Sequence, residues 1–459
     1  MSIHSELATA TASQLAARLR KRDVSSVELT EAHIARIEAL DGPVNAVVVR
    51  DFERARSDAR AADAALAKGE ANRPLLGVPM TVKESYDLAG HPTTWGLEAF
   101  REHRAHSDAL AVQRLKQAGA VVMGKTNVPP FLADWQSNNP IYGRTNNPYD
   151  VTRSPGGSSG GGAAALAMGF SALELGSDIG GSIRGPAAFC GVFGHKPSWG
   201  IVPQGGHAAG GAISAHTLLA VCGPLARSAP DLDIALGAVA GPDAEASANR
   251  LILPMPRHGS LQSFRVFVME DHPAASPDAE VRTAIEGVAD ELTRAGATVA
   301  RTSNLLPDMM QSWKTYQSIL HTVTTRRAPT GRPPISAHDL LDRLDDQYRL
   351  RRQWADFFRH FDVILSPVFS TPAFPHTDEP DWRKRALMID GQPQPYGAQL
   401  AWASVATVGC LPSTAVPLGL SKAGLPLSLQ VIGPYLEDRT SIAFAGMIAR
   451  EMPPPKLAM

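Results

Sequence analysis

Cysteine is scarce in this chain. Cys190, Cys222 and Cys410 are the only three in 459 residues. Three cannot all pair and none lies in a C-x-x-C spacing, so a disulfide framework and a cysteine zinc site are both excluded. The simplest reading is three buried thiols in a reducing compartment. An excess of one charge is lacking as well: 44 Lys and Arg against 45 Asp and Glu leave a formal net charge of −1. That balance offers no electrostatic footprint for nucleic acid or an anionic membrane. No apolar run approaches the roughly 18 residues needed to span a bilayer. The opening stretch, MSIHSELATATASQLAARLRKRD, has no apolar core of the kind a secretory signal carries. A cytoplasmic protein is therefore expected. Linkers rich in Pro, Ser or charge are also missing, and with 44% hydrophobic residues the chain reads as one large domain over 1–459.

Glycine and serine are concentrated between Arg153 and Pro197, in RSPGGSSGGGAAALAMGFSALELGSDIGGSIRGPAAFCGVFGHKP. Two clusters, Gly156–Gly161 and Gly176–Arg184, alternate with apolar runs. A solvated linker would not do so, which makes the stretch core. Neither cluster ends in the Gly-Lys-Ser/Thr of a phosphate-binding loop. Gly160, Gly162 and Ala165 formally fit a dinucleotide fingerprint, but Ser154 and Pro155 stand where that motif needs a buried strand. What remains is a sharply bent backbone that presents serine hydroxyls and bare N–H groups, which is what acyl transfer requires.

The stretch resembles the signature of the amidase signature family. The resemblance extends to PLLGVPMTVKESYDLAG (74–90), HSDALAVQRLKQAGAVVMGKTNVPPF (106–131), GPLARSAPDLDIAL (223–236), FDVILSPVFSTPA (361–373) and GLPLSLQVIGP (424–434). It implies an α/β fold with a large, mostly parallel or mixed twisted sheet and helices on both faces. It also implies a Ser-Ser-Lys triad: Ser182 as nucleophile, Ser158 as the bridging serine in a cis peptide bond, and Lys83 as base. Backbone N–H groups of Ile179, Gly180 and Gly181 would form the oxyanion hole, with Ser159, Asp178 and Arg184 in support. Two departures stand out. Glu84 follows the lysine where the family usually has Asp, and TVGCLP (407–412) replaces a turn that commonly contains Asn. The family's reaction is hydrolysis of an amide, aryl amide or carbamate, with esters within reach. Its alternative role is within an amidotransferase that acts on a charged tRNA with partner proteins. No cofactor and no metal are expected, and the partner is a small molecule. Many relatives are homodimers, although no exposed coiled-coil pattern marks a dimer here.

The rest of the chain reads as follows. Thr11 with Gln14, and Ser25 with Glu28, have the spacing of capping boxes, so residues 1–70 are expected to be an outer helical part. Residues 71–240 form the catalytic core. There, Leu76–Val82 reads as a buried strand that delivers Lys83, and Asp108 as the N-cap of a helix carrying Leu110 and Leu115. Trp135, Tyr142 and Tyr149 fall in loop, where aromatics either line a pocket or pack. His207 and His216 sit in an unusual Gly- and Ala-rich segment; their spacing makes no metal pair and requires no acid–base role. A helix opens at Ser276-Pro277 and ends at Gly296. Residues 300–360, with helical periodicity from about His338 to Phe361, are the variable, pocket-forming region by resemblance.

A serine without a His-Asp pair needs another base, and a lysine at its usual pKa of about 10.4 is protonated at neutral pH. Lys83 is therefore expected to be buried, with only hydroxyls and carbonyls around it.

Overall fold

The computed structural model describes residues 3–70, 72–212, 215–326, 335–456 and 458. The Arg-rich stretch ending at Arg332 lies partly outside them. Eleven strands form one sheet, in the order Val47–Arg50, Val121–Thr126, Pro79–Lys83, Leu173–Asp178, Val221–Ala226, Phe193–Lys196, Ser413–Leu420, Pro426–Ile432, Val363–Ser366, Arg265–Val268 and Thr298–Ala300. Pro79–Lys83 runs parallel to both its neighbours, and Arg265–Val268 to both of its own. The strands between these two groups pair antiparallel. The sheet is thus mixed: antiparallel pairings at its centre separate two parallel groups, and Val47–Arg50 adds an antiparallel strand at one edge.

Strand periodicity divides the core. Val122, Val266, Val363, Leu365 and Val416 point to one face, where the helices Ala229–Val239, Ala279–Arg294 and Asp438–Glu451 cover them. Val121, Met123, Phe267, Ile364 and Ala415 point to the other, under Ser26–Val44, Gly160–Ala167, Met309–Thr325 and Leu400–Val408. Helices therefore lie on both faces, as expected.

Both capping boxes form, Thr11 with Gln14 and Ser25 with Glu28. The N-terminal part is nevertheless not all helical, because Val47–Arg50 joins the edge of the sheet against Val121–Thr126. Asp108 does not cap the helix Leu110–Gln117. Its carboxylate accepts from the Ala89 N–H at 2.9 Å and pairs with Lys116 at 2.8 Å, a long-range use that leaves Ala109 at the cap. The helix over 276–296 runs from Ala279 to Arg294, and the long variable-region helix from Ala337 to Phe357.

A second, tertiary cap supports the first helices. Fully buried Asp231 accepts from the N–H groups of Ala12 at 3.0 Å and Ser13 at 2.8 Å, at the start of the helix Ala12–Lys21. Asp231→Ala strands both donors and is expected to lower stability by about 2–4 kcal/mol, read as a shift of the urea midpoint.

Candidate active site

Two parallel strands bring the site together. Thr81 pairs with Glu174 and Val82 with Leu175, so Lys83 and Asp178 end their strands on the same edge of the sheet. Carboxyl ends of parallel strands are where open α/β sheets place their chemistry. Lys83 is fully buried. Its amine donates to the Ser158 hydroxyl at 2.7 Å and to the Ser177 hydroxyl at 2.9 Å, with the Ser177 carbonyl at 3.5 Å. Among the described residues no ion pair includes it. Burial pulls the amine down to about 7, against the weaker opposing fields of Asp178 and Glu174. Glu174, whose oxygens accept from Thr81 and Thr126, is itself pushed up to about 7 by burial. It is thus a much weaker anion at neutral pH than an exposed glutamate.

The first glycine-serine cluster is folded so tightly that only glycine fits. A Cβ on Gly157 would lie 2.3 Å from the Asp134 carbonyl oxygen. The Gly157–Ser158 peptide is cis, as the resemblance implies. The helix Gly160–Ala167 starts immediately after Ser159. Ser159 joins the two clusters: its N–H donates to the Ser182 carbonyl at 3.1 Å, and its hydroxyl meets the Ser177 N–H and carbonyl at 3.4 Å each.

Ser182 keeps 6% of its surface exposed, the most of the three expected triad residues. Its hydroxyl makes no hydrogen bond to a described residue, so Lys83 and Ser158 are linked while the bridge to Ser182 stays open. Such bonds often tighten only when substrate is bound. Around Ser182 the loop is held by a buried ion pair. Asp178 accepts from the N–H groups of Gly181 at 2.9 Å, Ile183 at 3.0 Å and Arg184 at 3.3 Å, and from the Arg184 guanidinium at 3.0 and 3.1 Å. Burial alone would raise the Asp178 carboxyl. The Arg184 charge and these donors more than offset it and hold the group at about 2. Arg184 also reaches the Ala403 carbonyl, Thr407 and Gln430, bolting the serine loop to the C-terminal half. Thr407, in the segment that departs from the family turn, is part of that clamp.

One expected oxyanion donor is therefore already engaged. The Gly181 N–H is bonded to Asp178, because the carboxylate that shapes the loop sits beneath that peptide. The N–H groups of Ile179 and Gly180 have no partner among the described residues, and neither has that of Ser182. The Gly180 carbonyl is turned away and held by Trp135 Nε1 at 3.0 Å; the Ile179 carbonyl is held by the Tyr316 hydroxyl at 2.9 Å.

Glu84, next to the lysine, accepts from Thr94, Trp95 and Tyr142, a loop clamp apart from the amine. Tyr149 bonds the Lys456 carbonyl and packs. His207 lies against Tyr86 and Trp95 with Nε2 at 3.0 Å from the Ser85 hydroxyl, and burial first, then the Lys83 charge, pulls it down to about 3. His216 pairs instead with Asp243 at 2.9 Å, so the two histidines are not brought together. No group of His, Cys, Asp and Glu among the described residues could hold a metal. No helix among them is long and apolar enough to cross a membrane.

A family model described as amidase matches residues 28–328 and 308–442. The chain belongs to the amidase signature family. It is 33% identical to a glutamyl-tRNA(Gln) amidotransferase subunit of Anaeromyxobacter sp. (strain K), with 94% of each chain covered. Among solved structures it resembles an inhibitor-bound complex connected with the origins of an s-triazine catabolic enzyme (TM-score 0.83, 28% identity, 98% of this chain and 100% of that one). It also resembles 6-aminohexanoate cyclic dimer hydrolase complexed with substrate (TM-score 0.81, 25% identity, 97% and 98%). The large mixed sheet with helices around it is the fold of these family members.

Sequence reasoning missed Ser177, Trp135 in its role on Gly180, and Tyr316. Ser177 stands inside the signature, one residue before Asp178, and its position at the end of a strand parallel to that of Lys83 was the available signal. Tyr316 lies in the variable region and carried none.

Arg184→Met leaves Asp178 buried without its cation and is expected to cost about 3–5 kcal/mol at pH 7. In the wild type, the Asp178 contribution is present above the unfolded carboxyl pKa of about 3.9 and is lost as the pH falls through about 2. The difference between wild type and variant in urea unfolding should therefore narrow below about pH 4.

Proposed function

We propose that the chain is a serine hydrolase that cleaves a C–N acyl bond, in an amide, aryl amide or carbamate, through an acyl-Ser182 intermediate. The observation that carries this reading is the Lys83 amine, buried, held near 7, and bonded to the Ser158 hydroxyl at 2.7 Å. A neutral lysine takes the Ser158 proton, Ser158 takes that of Ser182, and the Ser182 oxygen attacks the acyl carbon as the carbonyl π pair moves onto its oxygen. Ile179 and Gly180 N–H groups supply the donors for that oxygen, each worth about 2.7–4 kcal/mol in the transition state. When the C–N bond breaks, the proton returns through Ser158 to the departing amine. Water repeats the sequence to free the acid. Ser177 helps to hold the lysine in place, and Ser159, Asp178 and Arg184 shape the loop. Esters are within reach of the same chemistry. The reading needs no cofactor, and a soluble cytoplasmic enzyme, alone or as a homodimer, fits it.

The similarity to an amidotransferase component favours a second reading, in which the same site works within a multi-protein complex on a charged tRNA. The net charge of −1 provides no basic surplus for tRNA. Hydrolysis of simple amides by the purified chain without partners separates the two.

With a fluorophosphonate, a single adduct is expected on Ser182, absent in Ser182→Ala and at least about 100-fold slower to form in Lys83→Ala. The wild-type labelling rate should rise with pH through about 7 and then level, as Lys83 loses its proton. Intact mass and peptide mapping over pH 5–9 check both, and an adduct elsewhere contradicts the assignment.

A further inference from the structure

The two held carbonyls in the serine loop do different work. A trans peptide points its C=O and the following N–H in opposite directions. The Gly180 carbonyl, held by Trp135, therefore fixes the plane that carries the Gly181 N–H, and that N–H is already held by Asp178. This plane is tied at both ends. The Ile179 carbonyl fixes the plane that carries the Gly180 N–H, and here the one tie among the described residues is the Tyr316 hydroxyl at 2.9 Å. The N–H on its other side is left without a partner among the described residues, aimed away from the helix Met309–Thr325 that carries the tyrosine.

The support behind this contact is rigid. Tyr316 is fully buried, and Trp313 stacks on its ring at 5.8 Å with 20° between the planes. A Cβ on Gly180 would lie 2.8 Å from Leu400 Cδ2 and 3.2 Å from the Tyr316 oxygen, so the peptide packs closely against both side chains. A donor whose direction is set before the reaction stabilises developing charge without reorganising.

We propose that Tyr316 is a positioning residue that acts through the Ile179 carbonyl to aim the Gly180 N–H at the oxygen of the acyl group attacked by Ser182. The inference rests on the hydrolase reading above. It assigns to the variable helical region, beyond pocket shape, a direct hold on the charge-stabilising loop.

Tyr316→Phe removes the hydroxyl and keeps the ring. The test compares fluorophosphonate labelling of Ser182 in the full-length wild type and Tyr316→Phe, resolving kinact from KI across pH 5–9, with thermal unfolding of both. The phosphoryl oxygen takes the place of the acyl oxygen, so the probe reads the same donor. Expected are a kinact lower by about 10- to 100-fold, less than or equal to loss of a whole donor, a KI changed less than about twofold, and an unchanged pH inflection. An unaltered kinact in a labelling-competent enzyme overturns the inference and leaves the hydrolase reading standing. A drop in kinact accompanied by a weakened KI, a shifted inflection or a large loss of thermal stability means a general structural defect, and likewise overturns it. Wild type that forms no Ser182 adduct sinks the hydrolase reading and the inference together. Trp135→Phe serves as the second variant: its peptide keeps the Asp178 bond, so kinact should fall several-fold less than in Tyr316→Phe, and an equal or larger fall counts against the special role of Tyr316.

Discussion

A lysine amine enclosed with hydroxyls and no carboxylate partner is the constraint on which this site depends. Water would keep the ammonium charged, and a salt bridge would do so more strongly. Lys83 is fully buried and, among the described residues, in no ion pair: its amine bonds the Ser158 and Ser177 hydroxyls and the Ser177 carbonyl. The nearest acidic groups are disarmed in different ways. Asp178 spends its charge on Arg184 and three backbone N–H groups, and Glu174 is buried between threonine hydroxyls, which weakens its ionisation. The remaining field leaves the amine near neutrality, where a base that must gain and return a proton at pH 7 is most effective.

The architecture follows from keeping that enclosure closed while leaving a serine accessible. The parallel strands Pro79–Lys83 and Leu173–Asp178 bring Lys83 and the Ser182 loop to one edge. Arg184 then ties the loop to Thr407 and Gln430, more than two hundred residues further along the chain. Glycine at 157 lets the chain leading into Ser158 pass close to the Asp134 carbonyl. Tyr316 holds the Ile179 carbonyl and so turns the Gly180 N–H the other way, while Trp135 holds the Gly180 carbonyl, whose plane carries the Gly181 N–H bonded to Asp178.

Much of this was legible in the sequence, and the residues that were not share a reason. Local signals read true: the capping boxes at Thr11 and Ser25 are present, and the run read as a strand over Leu76–Val82 is one from Pro79 onward. Lys83, Ser158 and Ser182 could be singled out because they sit in long, recognisable segments, and the structure places the first two in hydrogen-bond contact. Misreadings arose where a side chain is used far from its own position. Asp108 looked like a local cap and serves Ala89 instead; Val47–Arg50 is four residues long, and only the strand at 121–126 makes it a strand; the Gly181 N–H is claimed by a carboxylate three residues away. The holds of Tyr316 and Trp135 on the loop are tertiary contacts spanning 137 and 45 residues, which no spacing rule encodes.

The most direct measurement is an NMR titration of Lys83 itself, in full-length protein made with lysine labelled with carbon-13 at Cε and assigned by the signal lost in Lys83→Arg. A midpoint near 7 is expected, against about 10.4 for a free lysine side chain. A Lys83 signal that remains in its protonated position up to pH 10 would contradict it, because a charged amine cannot take the serine proton.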